Sequence, residues 1–175
     1  MKYPNGDAYD GEWKYNEREG VGIYTWSSKA VYHGDYDDNA RSGTGSYTFP
    51  DGKIYDGEFD NGARTGKGTL TYTNGDVYTC DFLNGIRHGK GDFKGKDGTS
   101  YTGRWADNIK EGSGVYTFAN GDQYAGRFEN DNFNGYGVIK THDGITYEGS
   151  WINGHRTGRG KMIMSNGDTF IGDFT

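Results

Sequence analysis

The feature that most constrains this sequence is a repeat with a constant period of 23 residues. One motif, Tyr-X-Gly-X-aromatic, begins at Tyr9, Tyr32, Tyr55, Tyr78, Tyr101, Tyr124 and Tyr147, with a Phe variant at Phe170. A second motif, Gly-X-Gly, begins at Gly20, Gly43, Gly66, Gly89, Gly112, Gly135 and Gly158. Such regularity predicts a solenoid in which neighbouring repeats bury one another. We expect one repeat domain over residues 1–175, with seven full units from Tyr9 and a partial unit at each end.

The composition supports structure built from rings and glycines rather than from an ordinary aliphatic core. Only 31% of residues are hydrophobic, which by itself is typical of disorder, but 16% are aromatic and 32 are glycine. No run approaches the roughly 18 apolar residues of a membrane span. Cys80 is the only cysteine and no Asn-X-Ser/Thr sequon occurs, which favours a cytoplasmic location.

Turn signals predict how the strands pair. A dipeptide such as Asn61-Gly62 recurs after each first motif and predicts a two-residue type I′ hairpin, which would pair Phe59 with Arg64, Gly57 with Gly66 and Tyr55 with Gly68. The next connection, Pro50-Asp51-Gly52 and its equivalents, predicts a three-residue loop closed by a left-handed glycine. That loop would pair Tyr47 with Tyr55 and Gly45 with Gly57.

Rings therefore face glycines on one side of a continuous antiparallel ribbon. The predicted fold is all-β, an elongated single-layer β-hairpin solenoid without helices. Two strands per repeat at about 4.8 Å each predict a strongly twisted rod on the order of 70 Å long.

The run Tyr55-Asp-Gly57-Glu-Phe59-Asp-Asn61-Gly62, followed by Gly66-Lys-Gly68, resembles the MORN repeat, the membrane occupation and recognition nexus motif. The resemblance covers essentially the whole chain and implies a repeat-only scaffold apposed to the cytoskeleton or to membranes. Four departures from the pattern stand out: Cys80 and Lys29 replace glycines, Gly95 replaces a ring, and Phe133 replaces a basic residue. We expect local irregularity in the fourth repeat.

Enzymatic functions are disfavoured, because the polar residues are distributed by repeat column rather than gathered into one constellation. Gly-X-Gly lies between strands and lacks the helix N-terminus of a phosphate loop. Cys80 and His88 are too few to hold zinc within one chain, and a buried thiol with a solvated imidazole is favoured over a site shared between chains. We expect no catalytic residue, no metal and no cofactor.

A basic column follows each hairpin turn, with Phe133 as the exception. A structural role is favoured, in which each cation stacks on the ring opposite to it, while a ladder for phosphate headgroups is the alternative. The net charge of −6 argues against strong membrane attraction and against nucleic acid. The column comprises Arg18, Arg41, Arg64, Arg87, Lys110 and Arg156.

The predicted function is a non-enzymatic scaffold or adaptor for protein partners that are cytoskeletal or membrane-associated. Two alternatives are a phosphoinositide- or phospholipid-binding adaptor and an auxiliary repeat module of a larger enzyme. The partner is expected to bind the basic column and a concave trough of rings, lined by Trp13, Tyr24, Trp26, Phe49, Phe59, Tyr72, Trp105 and Phe118. A homodimer is expected at the C-terminal strand, with Trp151, Phe170 and Phe174 at the joint.

Overall fold

The computed structural model describes residues 1–175, which form two compact units, Met1–Ile86 and Arg87–Thr175. The structure consists of fifteen β-strands and contains no helix, so none of its elements is a helix able to cross a membrane. In each unit the strands pair antiparallel in the order of the chain. The predicted all-β hairpin architecture is confirmed.

The strand bounds follow the repeat. The N-terminal unit contains β1 (Ala8–Lys14), β2 (Glu17–Thr25), β3 (Val31–Asp37), β4 (Ala40–Thr48), β5 (Ile54–Asp60), β6 (Ala63–Thr71) and β7 (Val77–Leu83). The C-terminal unit contains β8 (Ile86–Lys94) from its second residue on, β9 (Ser100–Ala106), β10 (Ile109–Thr117), β11 (Gln123–Glu129), β12 (Asn132–Lys140), β13 (Thr146–Ile152), β14 (His155–Ile163) and β15 (Thr169–Phe174). Each repeat thus contributes one shorter and one longer strand.

Both predicted turn types are present. Asn61 and Gly62 have φ angles of 46° and 80°, the two positive values that a type I′ hairpin requires. In the longer connection, the Phe49 N–H donates to the Lys53 carbonyl at 2.9 Å and Gly52 has a φ of 86°. Lys29 occupies the corresponding position with a φ of 73°, so a lysine there adopts a backbone that favours glycine.

The register within each hairpin differs from the sequence prediction beyond its first pairs. Phe59 pairs with Arg64 as expected, but Gly57 pairs with Gly68 rather than with Gly66, and Tyr55 pairs with Leu70. The pairings of Tyr47 with Tyr55 and of Gly45 with Gly57 are confirmed. Because the shift is two residues, it leaves every side chain on its predicted face.

A bulge at Gly66 and Lys67 causes this shift. Gly66 has a φ of 53°, and the Lys67 N–H points out of the ladder to the Glu58 carboxylate at 3.1 Å. The same irregularity recurs in the other hairpins whose pairing is described, including Gly11/Trp13 and Gly34/Asp35. The first glycine of Gly-X-Gly therefore supplies the positive φ of the bulge, and the second leaves room for the tyrosine ring.

The core of the N-terminal unit consists of tyrosine rings laid over glycine backbone. Tyr55 is 0% exposed, and a Cβ added to Gly57 or Gly68 would lie 2.6 or 2.5 Å from its hydroxyl oxygen. That hydroxyl donates to the Glu58 carbonyl at 3.0 Å. Tyr55 also meets Phe59 edge to face at 5.3 Å, a geometry worth about 0.5–1.5 kcal/mol beyond burial.

The core of the C-terminal unit uses the same construction. Tyr101, Tyr124 and Tyr147 are fully buried, and each lies over a pair of glycines. Trp105 and Trp151 pack edge to face on the tyrosine of their own strand, at 5.2 and 5.3 Å. Neither unit has an aliphatic centre, so packing is local to adjacent repeats.

Candidate protein-docking face

One face of each unit carries the tyrosine rings, the basic column and the aromatic side chains that end the longer strands; we call it the ring-bearing face. Strand alternation places these residues on one side because each motif spaces them by two. In the N-terminal unit, Tyr24, Trp26, Tyr47 and Phe49 follow one another at ring-centroid distances of 4.5, 5.5 and 4.6 Å. All four are half-buried, so part of each ring faces solvent.

Each arginine of the basic column in the N-terminal unit joins its own repeat to the next hairpin turn. Arg64 Nη2 donates to the Gly85 carbonyl at 2.9 Å, while the Gly85 N–H donates back to the Arg64 carbonyl at 2.8 Å. Arg41 makes the same pair of bonds with Gly62, at 2.5 and 2.8 Å. Arg18 does so with Asn39, at 2.8 and 3.1 Å. We call this reciprocal pair of bonds the turn clamp.

The cations also stack on rings, but mostly not on the ring directly opposite. Arg64 lies over Tyr55 at 5.3 Å, Phe49 at 5.3 Å and Phe82 at 5.7 Å. Its cross-strand partner is Phe59, which is not among them. The turn clamp holds this guanidinium against Gly85, and the three rings around it belong to the preceding, the same and the following repeat. Each such contact is worth about 0.5–1 kcal/mol or more where water is excluded.

The C-terminal unit varies the clamp. Arg87 Nη2 donates to the Asn108 carbonyl at 3.2 Å, and Lys110 Nζ instead meets the Asp131 carboxylate at 3.2 Å. Phe133 keeps only the backbone bond, accepted from Gly154 N–H at 2.9 Å, and stacks on Tyr124 at 3.8 Å. Arg156 lies over the Tyr147 ring at 4.9 Å. A ring thus substitutes for a cation in one repeat.

Burial sets the electrostatics of the ring-bearing face. It raises the pKa of Tyr55 to about 12, because the ionised phenolate would lose its water. Burial likewise lowers the pKa of Arg64 from its usual value, although the guanidinium stays charged at neutral pH. The face therefore presents permanent cations against neutral phenols.

A cavity of about 250 Å³ opens on this face of the N-terminal unit, between two arginines of the column. Arg41 and Arg64 flank it, and Tyr47, Phe49 and Phe59 supply rings to its wall. A cavity of about 570 Å³ in the C-terminal unit is lined by Phe118, Phe133, Trp151, Arg156 and Phe174, among others. Both combine apolar walls with a cation, as ligand pockets commonly do.

The predicted docking residues are not equally available. Trp13 is 41% exposed, Trp26, Phe49, Tyr72 and Phe118 are half-buried, and Trp105 is buried. The structure brings Arg41, Arg64 and Phe49 together around one cavity. Sequence reasoning missed Tyr47 as a wall residue, although it belongs to a recurrent aromatic column that could have identified it.

The residues predicted for a dimer joint differ in accessibility. Trp151 is only 4% exposed, because it packs on Tyr124, Phe133 and Tyr147 of its own unit. Phe170 is 53% exposed and Phe174 is half-buried. The homodimer stays a prediction, and only the two phenylalanines present surface to it.

Few groups are arranged to hold a metal ion. Carboxylate oxygens of Glu19, Asp37 and Asp38 lie within 4.8 Å of one another at the surface. A hydrogen bond to Asp38 raises the pKa of neighbouring Glu17. Cys80 is buried and His88 is exposed.

The repeat matches the family model of the MORN repeat in seven consecutive copies, at residues 9–31, 32–54, 55–77, 78–100, 101–123, 124–146 and 147–169. The chain belongs to the MORN-repeat family. A comparison with curated proteins finds no match.

Two solved structures resemble the MORN chain in fold. One is the TCP domain of SAS-4 (dCPAP) from Drosophila melanogaster, in complex with a proline-rich motif of Ana2 (dSTIL). Its TM-score is 0.56 at 12% identity, over 94% of this chain and 88% of that one. The other is the G-box domain of the microcephaly protein CPAP, with a TM-score of 0.56 at 16% identity, over 100% of this chain and 97% of that one. These identities establish a shared fold only.

Proposed function

We propose that this MORN-repeat chain is a non-enzymatic scaffold whose ring-bearing face binds an extended, proline-rich segment of a partner protein. The observation that carries the proposal is the cavity between Arg41 and Arg64, walled by Tyr47, Phe49 and Phe59. Aromatic and arginine side chains dominate the energetics of protein interfaces. The distribution of polar residues by repeat column supports the non-enzymatic part of the proposal.

The arginines keep donors for a partner. Arg41 and Arg64 each use Nη2 for the turn clamp, and the remaining guanidinium N–H groups have no acceptor in the chain. An extended peptide exposes carbonyl oxygens along its length, and these match such donors. A segment with acidic residues would add charge complementarity.

The repeat spacing favours the polyproline II conformation. Two strands per repeat separate equivalent positions by about 9.6 Å. A polyproline II helix advances about 9.3 Å in each turn of three residues. A partner with proline at every third residue would therefore place successive prolines over Trp26, Phe49 and Tyr72, the aromatic side chains that follow β2, β4 and β6. That the SAS-4 domain of similar fold binds a proline-rich motif supports the choice of this ligand class.

Fluorescence anisotropy with two labelled peptides tests the proposal. Both have the same length and composition, with Pro and Glu, but one has proline at every third residue and the other groups its prolines together. We expect the periodic peptide to bind more tightly, and Phe49→Ala to weaken it about tenfold. Ile23→Ala, on the opposite face of β2, is the matched control and should leave affinity unchanged. Equal affinity of the two peptides, or an unaffected Phe49→Ala, would contradict the proposal.

Phosphoinositide binding through the basic column remains a prediction with less support, because the net charge of −6 opposes attraction to an anionic membrane. Any headgroup-selective binding should disappear when Arg41, Arg64 and Arg87 are replaced by Glu, with folding checked by circular dichroism. The cytoplasmic and cytoskeletal location also remains a prediction.

A further inference from the structure

The face of the sheet opposite the tyrosine rings carries a row of side chains beside the bulges, and its charge differs between the two units. Each shorter strand contributes one side chain to this row. In the N-terminal unit these side chains are all acidic: Glu12, Asp35, Glu58 and Asp81. At the same position the C-terminal unit has Arg104, Arg127, Ser150 and Asp173. Two consecutive repeats have therefore exchanged a carboxylate for a guanidinium.

In the N-terminal unit three of these carboxylates, those of Glu12, Asp35 and Glu58, accept hydrogen bonds from bulge residues. Glu12 accepts the Val21 N–H at 3.2 Å, and Glu58 accepts the Lys67 N–H at 3.1 Å. Asp35 accepts both the Thr44 N–H at 2.9 Å and the Thr44 hydroxyl at 3.4 Å. Each bulge thus presents an outward N–H that takes an anionic oxygen, and Thr44 adds a second donor.

In the C-terminal unit the equivalent donors meet no carboxylate. Ser113 occupies the Thr44 position and offers the same N–H and O–H pair, but Arg104 stands where Asp35 would be. A Cβ added to bulge residue Gly112 would lie 3.5 Å from Arg104 Cδ, whereas at Gly43 it would meet the Asp35 carboxylate. The stem of Arg104 therefore covers the bulge, beside an N–H and a hydroxyl of Ser113 that meet no carboxylate.

A second cation adjoins this position, because Lys90 pairs directly across from Arg104. Arg127 pairs across from Ser113, but its stem lies beside Gly135 on the following strand. Lys90 and Arg104 are exposed, and neither forms an ion pair in the chain. Like charges directly opposite each other destabilise a sheet, so this arrangement is unfavourable unless an anion lies between them.

The cations border a cavity of about 400 Å³ lined by Lys90, Arg104 and Ser113 together with the backbone of Gly91 and Gly103. Asp92 and Thr102 complete the wall, and the Asp92 carboxylate accepts the Thr102 hydroxyl at 2.6 Å. The one acid in the cavity is therefore already engaged, while the cations and Ser113 are open to a ligand.

We propose that Lys90, Arg104 and Ser113 bind a phosphate group carried by a partner peptide, on the face opposite the tyrosine rings. Two cations with a backbone N–H and a hydroxyl suit the double charge and the several acceptor oxygens of a phosphate monoester better than a single carboxylate. The chain has a net charge of −6, which favours a peptide over an anionic bilayer.

Nuclear magnetic resonance titration of the full chain tests this site. The probes are a blocked tripeptide with central phosphoserine, the same tripeptide with glutamate, inorganic phosphate, and vesicles containing a phosphomonoester lipid, all at one ionic strength. We expect phosphoserine to shift the Ser113 amide resonance and the glutamate peptide to bind about tenfold more weakly. The Thr44 amide, already bonded to Asp35, serves as an internal reference and should not move.

Arg104→Glu is the decisive variant, because it rebuilds the internal carboxylate that Glu58 supplies in the N-terminal unit. It should fold, and it should bind the phosphoserine peptide at least about tenfold more weakly. Lys140→Glu makes the same change of charge elsewhere in the C-terminal unit and should alter affinity by less than about twofold. Thermal melting confirms that both variants are folded.

Four results would overturn the proposal: an unmoved Ser113 amide, unchanged binding in Arg104→Glu, equal losses in Arg104→Glu and Lys140→Glu, or equal affinity for the glutamate peptide. Binding to vesicles without binding to the phosphoserine peptide would assign the site to lipid and would likewise overturn it. Binding of inorganic phosphate alone would do the same.

Discussion

Strands β5 and β7 occupy equivalent places in consecutive repeats of the N-terminal unit, yet their tyrosines are buried differently. Tyr55 on β5 is 0% exposed, whereas Tyr78 on β7 is half-buried. The strands differ at the position two residues on, where β5 has Gly57 and β7 has Cys80, and both of these pair with Gly68.

This comparison shows whether the glycine is needed for strand pairing or for the space that the tyrosine ring occupies. Antiparallel pairing of β7 with β6 continues through Cys80 without a shift, so the strand does not require glycine there. The ring does, because a Cβ at Gly57 would lie 2.6 Å from the Tyr55 hydroxyl. Tyr78 instead packs on Tyr72, at 5.7 Å. The departure at Cys80 thus accompanies a more exposed ring and leaves the pairing with β6 intact.

The largest expected effect comes from truncating the two tyrosines. Tyr55→Ala should lower the free energy of unfolding by about 4 kcal/mol, because it removes a fully buried ring and its hydrogen bond. Tyr78→Ala should cost about 1–2 kcal/mol, since that ring is partly solvated already. Urea denaturation of both variants measures the difference. Equal losses would mean that exposure does not report the contribution of the ring.

Introducing a cysteine at the equivalent position of a regular repeat should lower the stability of the protein. Gly57→Cys places a side chain where the Tyr55 ring lies, and we expect a loss of about 3 kcal/mol from overpacking and a displaced ring. Asp56→Cys, at the exposed neighbouring position, is the control and should change stability by less than about 0.5 kcal/mol. If Gly57→Cys matched that control, the proposed role of this glycine would be wrong.

Reversing the departure should have a smaller effect. Cys80→Gly removes the obstacle beside Tyr78 and should allow its ring to become buried, while the added backbone freedom of glycine costs about 0.5–1 kcal/mol. We expect the net change in stability to stay within about 1 kcal/mol. Near-ultraviolet circular dichroism should show a more ordered tyrosine. An unchanged spectrum would mean that Cys80 is not what displaces the ring.

The smallest expected effect is on the stability of the protein at alkaline pH. Burial raises the pKa of Tyr55 to about 12, whereas a phenol in the unfolded chain ionises near 10. Above about pH 10 the unfolded chain therefore loses protons that the folded chain keeps, and stability falls toward pH 12. The free energy of unfolding of Tyr55→Phe, measured by urea denaturation, should fall less steeply over that pH range. An equally steep decline in the variant would contradict this assignment.

The sequence predicted the features that depend on backbone conformation and on period. The Asn-Gly turns, the left-handed loop glycines and the placement of Tyr55 over glycine all follow from local rules. The bulge was missed because Gly66 and Gly68 look identical in a pattern, although one supplies a positive φ and the other supplies space. Because the bulge shifts the register by two residues, each side chain still lies on the face of the strand that the sequence predicted.

The turn clamp was not predicted either, because it depends on the distance from Arg64 to a turn 21 residues later, which sequence periodicity does not measure. The sequence shows that the column is cationic. It does not show the acceptor, because every residue has a backbone carbonyl. The cavity between Arg41 and Arg64 follows from the clamp, since the clamp fixes both guanidinium groups.

The turn clamp also bears on how such a protein gains or loses length in evolution. Each copy of the bond pair runs from one repeat to the turn of the next and involves no third repeat. Duplication or deletion of one 23-residue stretch of the gene therefore joins a clamp donor to an equivalent acceptor at the new boundary. Unequal recombination can lengthen or shorten the array one repeat at a time.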